Sequence, residues 1–128
     1  MDWIDDTVAV GGWLDAFCAQ RRRREGVELL VDARLLFEKS LFMSKRIPLV
    51  NELLRSRDLL VDCLPQTPKV LIFCNQGRDR SPFVAMLYLS KRYEISFQEA
   101  YGLVRSKHQK TVFHWDWVRA IEKAEPNR

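Results

Sequence analysis

A continuous apolar run, Val70-Leu71-Ile72-Phe73, passes directly into Cys74-Asn75-Gln76-Gly77-Arg78-Asp79-Arg80, and Ser81-Pro82 follows at once. Four apolar residues without alternation suit a strand buried on both faces, the kind that parallel sheets place at their centre. Ser81-Pro82 reads as a helix start, with Ser81 as N-cap and Pro82 at the first helical position. From Pro82 to Arg92 apolar residues occupy most sides, which predicts a helix deep in the core. A central strand, a short loop and a buried helix demand a layered α/β arrangement.

The rest of the chain agrees with that class. Val8–Val10 reads as a strand closed by Gly11-Gly12, and Trp13 to Arg24 as a helix stopped by Gly26. Val27–Val31 suits a second strand, and Phe37–Ile47 a loop. Pro48 opens a helix to about Cys63, ended by Pro65 and Pro68. Ser96-Phe97-Gln98-Glu99 is a capping box for a helix to about Lys107, and Phe113 to Ala124 is an amphipathic closing helix. The expected fold is therefore three-layered α/β, with a short, mostly parallel sheet between helices.

At 128 residues the chain has the size of one domain, expected to span 1–128. Its 47% hydrophobic and 30% charged residues exclude wholesale disorder, and no apolar run approaches the roughly 20 residues of a membrane span. Cys18, Cys63 and Cys74 form no CxxC pair, so neither a disulfide framework nor a metal site is expected. With an acidic start, MDWIDD, in place of a signal peptide, the expected location is cytoplasmic. Net charge is +4, much of it from Arg21 to Arg24, read as the solvated end of a helix.

The loop after the central strand carries the chemistry. Successive backbone N–H groups and a helix N-terminus together make an anion cradle. Asn75, Gln76, Gly77, Arg78, Asp79 and Arg80 would line it. Gly77 sits where a tight loop needs unusual dihedrals, and Arg80 offers a planar fork for two phosphate oxygens. Cys74 lies at the floor, where the same amides that hold a dianion favour thiolate over thiol.

Cys74, five intervening residues, Arg80 and Ser81 resemble the Cys-x5-Arg-Ser/Thr motif of the protein tyrosine phosphatase superfamily. The flanks are most similar to the small dual-specificity phosphatases: Val8-Ala9-Val10-Gly11, Gly26 to Val31, Ser81 to Leu89, and Ser96 to Val104. The resemblance implies that fold and a cofactor-free hydrolysis of phosphorylated proteins or peptides at tyrosine, and at serine or threonine. In it Cys74 is the nucleophile, Arg80 and the loop amides hold phosphate, and Ser81 helps the thiolate leave. Arg78, a second cation in the loop, would also suit phosphoinositides or an RNA 5′ end.

Two departures from the family pattern stand out. Phe73 replaces the histidine that usually precedes the nucleophile and orients its loop. The general acid is ambiguous. Asp32, at a strand's C-terminal end, is the first candidate, Asp79 inside the loop the alternative, and Glu38 a third. With no acid at all the chain would be a phosphate-binding pseudophosphatase. His108 and His114, the two histidines, read as surface or packing residues.

Overall fold

A computed structural model describes residues 1–34, 50–62 and 69–125. Its strands are β1 (Asp2–Trp3), β2 (Val8–Gly12), β3 (Leu29–Asp32) and β4 (Val70–Cys74). The helices are α1 (Trp13–Ala16), α2 (Ala19–Glu25), α3 (Val50–Asp62), α4 (Arg80–Tyr93), α5 (Phe97–Lys107) and α6 (Trp115–Ala124). The sheet runs β1-β2-β4-β3, with β2, β4 and β3 parallel and β1 antiparallel on the edge. Helices on both faces complete the layered α/β fold that the sequence predicts.

Side chains on a strand alternate between faces, and here the alternation divides two cores. Val8, Val10, Val31, Val70 and Ile72 face the large core, which they share with residues of α3, α4, α5 and α6. Ala9, Leu71 and Phe73 face a smaller cluster with Ala16 of α1. All five residues of β4 are buried, as a strand covered on both sides requires. From Arg80 to Ser90, α4 is buried along its length. Its Tyr88 hydroxyl donates to Asp5, 2.7 Å away, and burial beside that carboxylate pushes the phenol well above its usual range.

Strand β2 runs on through Gly11-Gly12, which were expected to close it, and α6 begins at Trp115 rather than Phe113. Three further boundaries differ from the sequence reading for tertiary reasons. The expected helix from Trp13 to Arg24 is two helices, broken at Phe17-Cys18, because Phe17 turns to pack edge-on against Phe73 at 5.4 Å. The strand expected at Val27–Val31 begins at Leu29, since Val27 N–H and Glu28 N–H donate to Arg22 and Lys69 carbonyls. Ser81 is not the N-cap of α4. Asp79 takes that position and the helix begins at Arg80, two residues before the expected Pro82, while the Ser81 hydroxyl is directed to other partners. Gly26 does stop α2 in a left-handed turn at φ +76°, and Ser96 does cap α5 by accepting the Glu99 N–H at 3.0 Å. The loop at Phe37–Ile47, together with Glu38, Pro48, Cys63, Pro65 and Pro68, lies outside the described residues.

Gly102 sits exposed inside α5, and a methyl group added there would meet nothing within 4 Å. Glycine in a helix interior costs about 0.5–1 kcal/mol relative to alanine. Gly102→Ala is expected to raise stability by that amount, read as a higher urea midpoint at unchanged slope. A lower midpoint would show that this face of α5 is covered by something a methyl group displaces.

Candidate active site

Gly11 and Gly12 close β2 and lie in register with Phe73 and Cys74 of β4, so two strand ends meet where the loop begins. Neighbouring residues of β4 face opposite ways. Phe73 therefore enters the small cluster against Phe17, with the Arg34 guanidinium 5.3 Å from its ring, while Cys74 emerges on the side of α4. The Phe73 side chain has no polar atom to offer the loop.

The loop from Asn75 to Asp79 is held by its carbonyls. Asn75 C=O accepts from Trp13 N–H (3.4 Å), Arg78 C=O from Val112 N–H (2.8 Å) and Asp79 C=O from Phe83 N–H (3.3 Å). Gly77 C=O accepts from the imidazole Nε2 of His108. In a trans peptide the carbonyl and the following N–H point opposite ways. Carbonyls held from outside at 75, 77 and 78 therefore turn the N–H groups of Gln76, Arg78 and Asp79 to the other side, an arrangement suited to an anion.

Gly77 is the residue without which this turn fails. Its φ is +70°, and a Cβ there would lie 2.8 Å from the Gly11 carbonyl carbon. Loop and β2 can approach this closely only with hydrogen at that position.

Cys74 is buried at the floor, with Ser81 Oγ 3.2 Å from its Sγ. That same hydroxyl lies 3.1 Å from the Gly11 carbonyl oxygen. A hydroxyl has one proton. While Cys74 is a thiol, its S–H donates to Ser81 and Ser81 donates to Gly11. Once Cys74 is a thiolate, the Ser81 proton can turn to the sulfur. Arg80, the first residue of α4, is 1% exposed, with its guanidinium carbon 5.5 Å from the Trp117 ring centre. Asn75 and Asp79 are half-buried, and Gln76 and Arg78 point to solvent.

Two of the three candidate acids lie among the described residues, and their settings differ. Asp79 Oδ1 lies 2.7 Å from His114 Nε2, and this hydrogen bond holds the carboxyl below the usual aspartate range, against the opposing effect of burial. His114 in turn stacks on Trp117, the rings 3.7 Å apart and nearly parallel. Asp32 stands at the C-terminal end of β3, in register with Phe73. Its carboxylate forms a forked pair with Arg34 at 3.0 Å on each oxygen, and 40% of its side chain is exposed.

The structure thus brings Cys74, Arg80, Ser81, Asn75, Gln76, Gly77, Arg78 and Asp79 together, with Asp32 at a neighbouring strand end. It adds His108 and His114, which the sequence reading assigned to surface or packing. His108 is 1% exposed and reaches the loop from across the fold. The Val112 N–H falls between them, so segment 108–114 contacts three consecutive loop residues, Gly77, Arg78 and Asp79. Among the described residues no cluster of histidine, cysteine, aspartate or glutamate is arranged to hold a metal, and no helix is long and apolar enough to cross a membrane.

Comparison with known proteins agrees with this fold. The family "Dual specificity phosphatase, catalytic domain" matches residues 30–125. Among curated proteins no sequence match is found. Among solved structures, human DUSP28 superposes with a TM-score of 0.79 at 18% identity, over 97% of this chain and 96% of that one. A leucine rich repeat and phosphatase domain containing protein from Entamoeba histolytica gives 0.78 at 12%, over 98% and 90%. The human tyrosine phosphatase-like serine/threonine/tyrosine-interacting protein gives 0.76 at 14%, over 98% and 95%. At such identities these likenesses speak for the fold.

Proposed function

The chain belongs to the dual specificity phosphatase catalytic-domain family, and from that premise we propose that it hydrolyses phosphate monoesters of proteins or peptides through a phosphocysteine on Cys74. The observation that carries this reading is the buried Cys74 at the floor of a loop whose carbonyls are held from outside. In the first step the Cys74 thiolate attacks phosphorus, an S–P bond forms and the ester P–O bond breaks. Arg80 and the loop N–H groups hold the equatorial oxygens through the transfer. In the second step water attacks phosphorus, the S–P bond breaks and phosphate departs. Ser81, 3.2 Å away, then turns its proton to the sulfur and stabilises the leaving thiolate.

The leaving oxygen needs a proton, and magnitudes favour Asp32 over Asp79 as its source. The hydrogen bond from His114 holds the Asp79 carboxyl below the usual aspartate range, which disfavours the protonated form that a general acid needs. The Asp32 side chain is 40% exposed and meets Arg34 through both the guanidinium and the backbone N–H, and exposed ion pairs contribute about 0–1 kcal/mol. Substrate entry can open this pair. Asp32 then protonates the leaving oxygen and takes a proton back from the attacking water. The exposed Arg78 gives the site a second cation for substrates carrying more than one phosphate, phosphoinositides and RNA 5′ ends included.

The test is phosphate release from a phosphotyrosine peptide across pH 4 to 8, in EDTA with fresh reductant, by wild type, Asp32→Asn and Asp79→Asn. Turnover that survives EDTA is expected, and Asp32→Asn is expected to lose the basic limb of the profile while Asp79→Asn keeps it. The reverse pattern would transfer the acid role to Asp79. Vanadate binding without any phosphate release would replace the phosphatase by a phosphate-binding domain.

A further inference from the structure

Among the described residues His108 is one of the few buried polar side chains, and both of its ring nitrogens are engaged. Nε2 meets the Gly77 carbonyl oxygen, and Nδ1 lies 2.6 Å from Asp2 Oδ2 on β1. A carbonyl oxygen only accepts, so Nε2 carries a proton and donates it. The backbone of His108 is fixed as firmly as its ring. Its N–H donates to Val104 C=O at the end of α5, and its own C=O accepts from both Thr111 N–H and the Thr111 hydroxyl, at 3.1 and 2.6 Å. The side chain is therefore aimed at one peptide, the one joining Gly77 to Arg78.

That peptide is the most demanding in the loop. It follows the left-handed Gly77, and glycine leaves more than one orientation open to the group after it. With its carbonyl held by His108, its N–H must point to the anion side. Hydrogen bonding at the oxygen also polarises the amide, making that N–H a stronger donor.

We propose that His108 is a positioning residue for oxyanion binding. It holds the Gly77–Arg78 peptide with its N–H turned toward the phosphate, and Asp2 on the edge strand fixes the plane of its ring. The proposal rests on the phosphatase reading for its effect on turnover, but oxyanion binding tests it separately. Such a relay from carboxylate to imidazole to substrate-binding peptide is how rigid support makes a site precise.

Three variants divide the possibilities. His108→Leu keeps bulk and removes the donor, His108→Gln keeps an amide donor near the position of Nε2, and Asp2→Asn leaves the imidazole but removes the carboxylate. Vanadate affinity by calorimetry is read beside kcat for the phosphotyrosine peptide, with the thermal midpoint as a check on folding. Removing a donor that touches the oxyanion directly costs roughly 10²–10³ in kcat, so a donor acting through one peptide is expected to cost about tenfold in both readouts. His108→Gln should recover to within about fivefold of wild type, and Asp2→Asn should lose about two- to fivefold.

A folded His108→Leu with wild-type vanadate affinity and kcat would overturn the proposal, as would a His108→Gln no better than His108→Leu. Should His108→Leu fail to fold, Asp2→Asn decides, because Asp2 is a half-exposed residue on an edge strand. Unchanged vanadate affinity in that variant would then sink the idea. A wild type that binds vanadate without turnover removes the phosphatase reading and leaves the ranking of affinities to judge His108. A wild type that does not bind vanadate ends both.

Discussion

Cys74→Ser is expected to lower phosphate release by at least about four orders of magnitude while leaving binding of inorganic phosphate within a few-fold of wild type. Removal of a nucleophile in a cooperating site costs on this scale in enzymes of other classes. The substitution is nearly isosteric, so the loop, its carbonyl contacts and Arg80 remain in place to hold the anion. What is lost is ionisation, since an alcohol at this position is not deprotonated near neutral pH as a thiol can be. Residual activity above about 1% of wild type would mean that the bond to phosphorus is not made by Cys74. Loss of binding together with turnover would mean that the sulfur shapes the loop rather than reacting.

Gly77→Ala is expected to damage both stability and binding, for reasons independent of any reaction. A left-handed backbone costs a non-glycine residue about 1–2 kcal/mol. The new methyl carbon would also lie 2.8 Å from Gly11 C, 3.0 Å from Gly11 O and 3.1 Å from Gly12 N. These are backbone atoms of a strand paired on both sides, so the loop must move and the strand cannot. Together the two effects should cost about 3 kcal/mol, or a thermal midpoint lower by roughly 10 °C. Vanadate affinity should fall by at least about tenfold, because the His108 contact to the Gly77 carbonyl is disturbed with it. Gly102→Ala, measured alongside, should shift stability the opposite way. A Gly77→Ala protein that melts within 2 °C of wild type would show that the loop has slack which the close approach to Gly11 denies.

What was legible in the sequence was what local rules govern. The buried run Val70 to Phe73, the loop after it, the helix behind, the Ser96 cap and the Gly26 stop are each set by residues within a few positions of one another. The errors around the site lie where a distant partner outweighs a local preference. Ser81 has the type and setting of an N-cap, but Gly11, seventy residues earlier, and Cys74 claim its hydroxyl. Phe17 belongs by pattern to one long helix, but Phe73 draws it out of line. His108 and His114 follow the core helices in ordinary polar surroundings, and nothing in their spacing points back about thirty residues to the loop. A signal was available, in retrospect, in the chain's own departure: with Phe73 in place of a loop-orienting histidine, another donor had to be sought.

The loop after β4 is clasped from both directions along the chain, by Trp13 before it and by residues 108–114 after it. During synthesis the amino-terminal part of a protein emerges first. A growing chain that has reached Lys107 already carries Cys74, Arg80 and the whole sheet, yet it lacks the contacts to Gly77, Arg78 and Asp79. The loop therefore cannot take its final shape before the segment ahead of α6 has been made and folds back onto it.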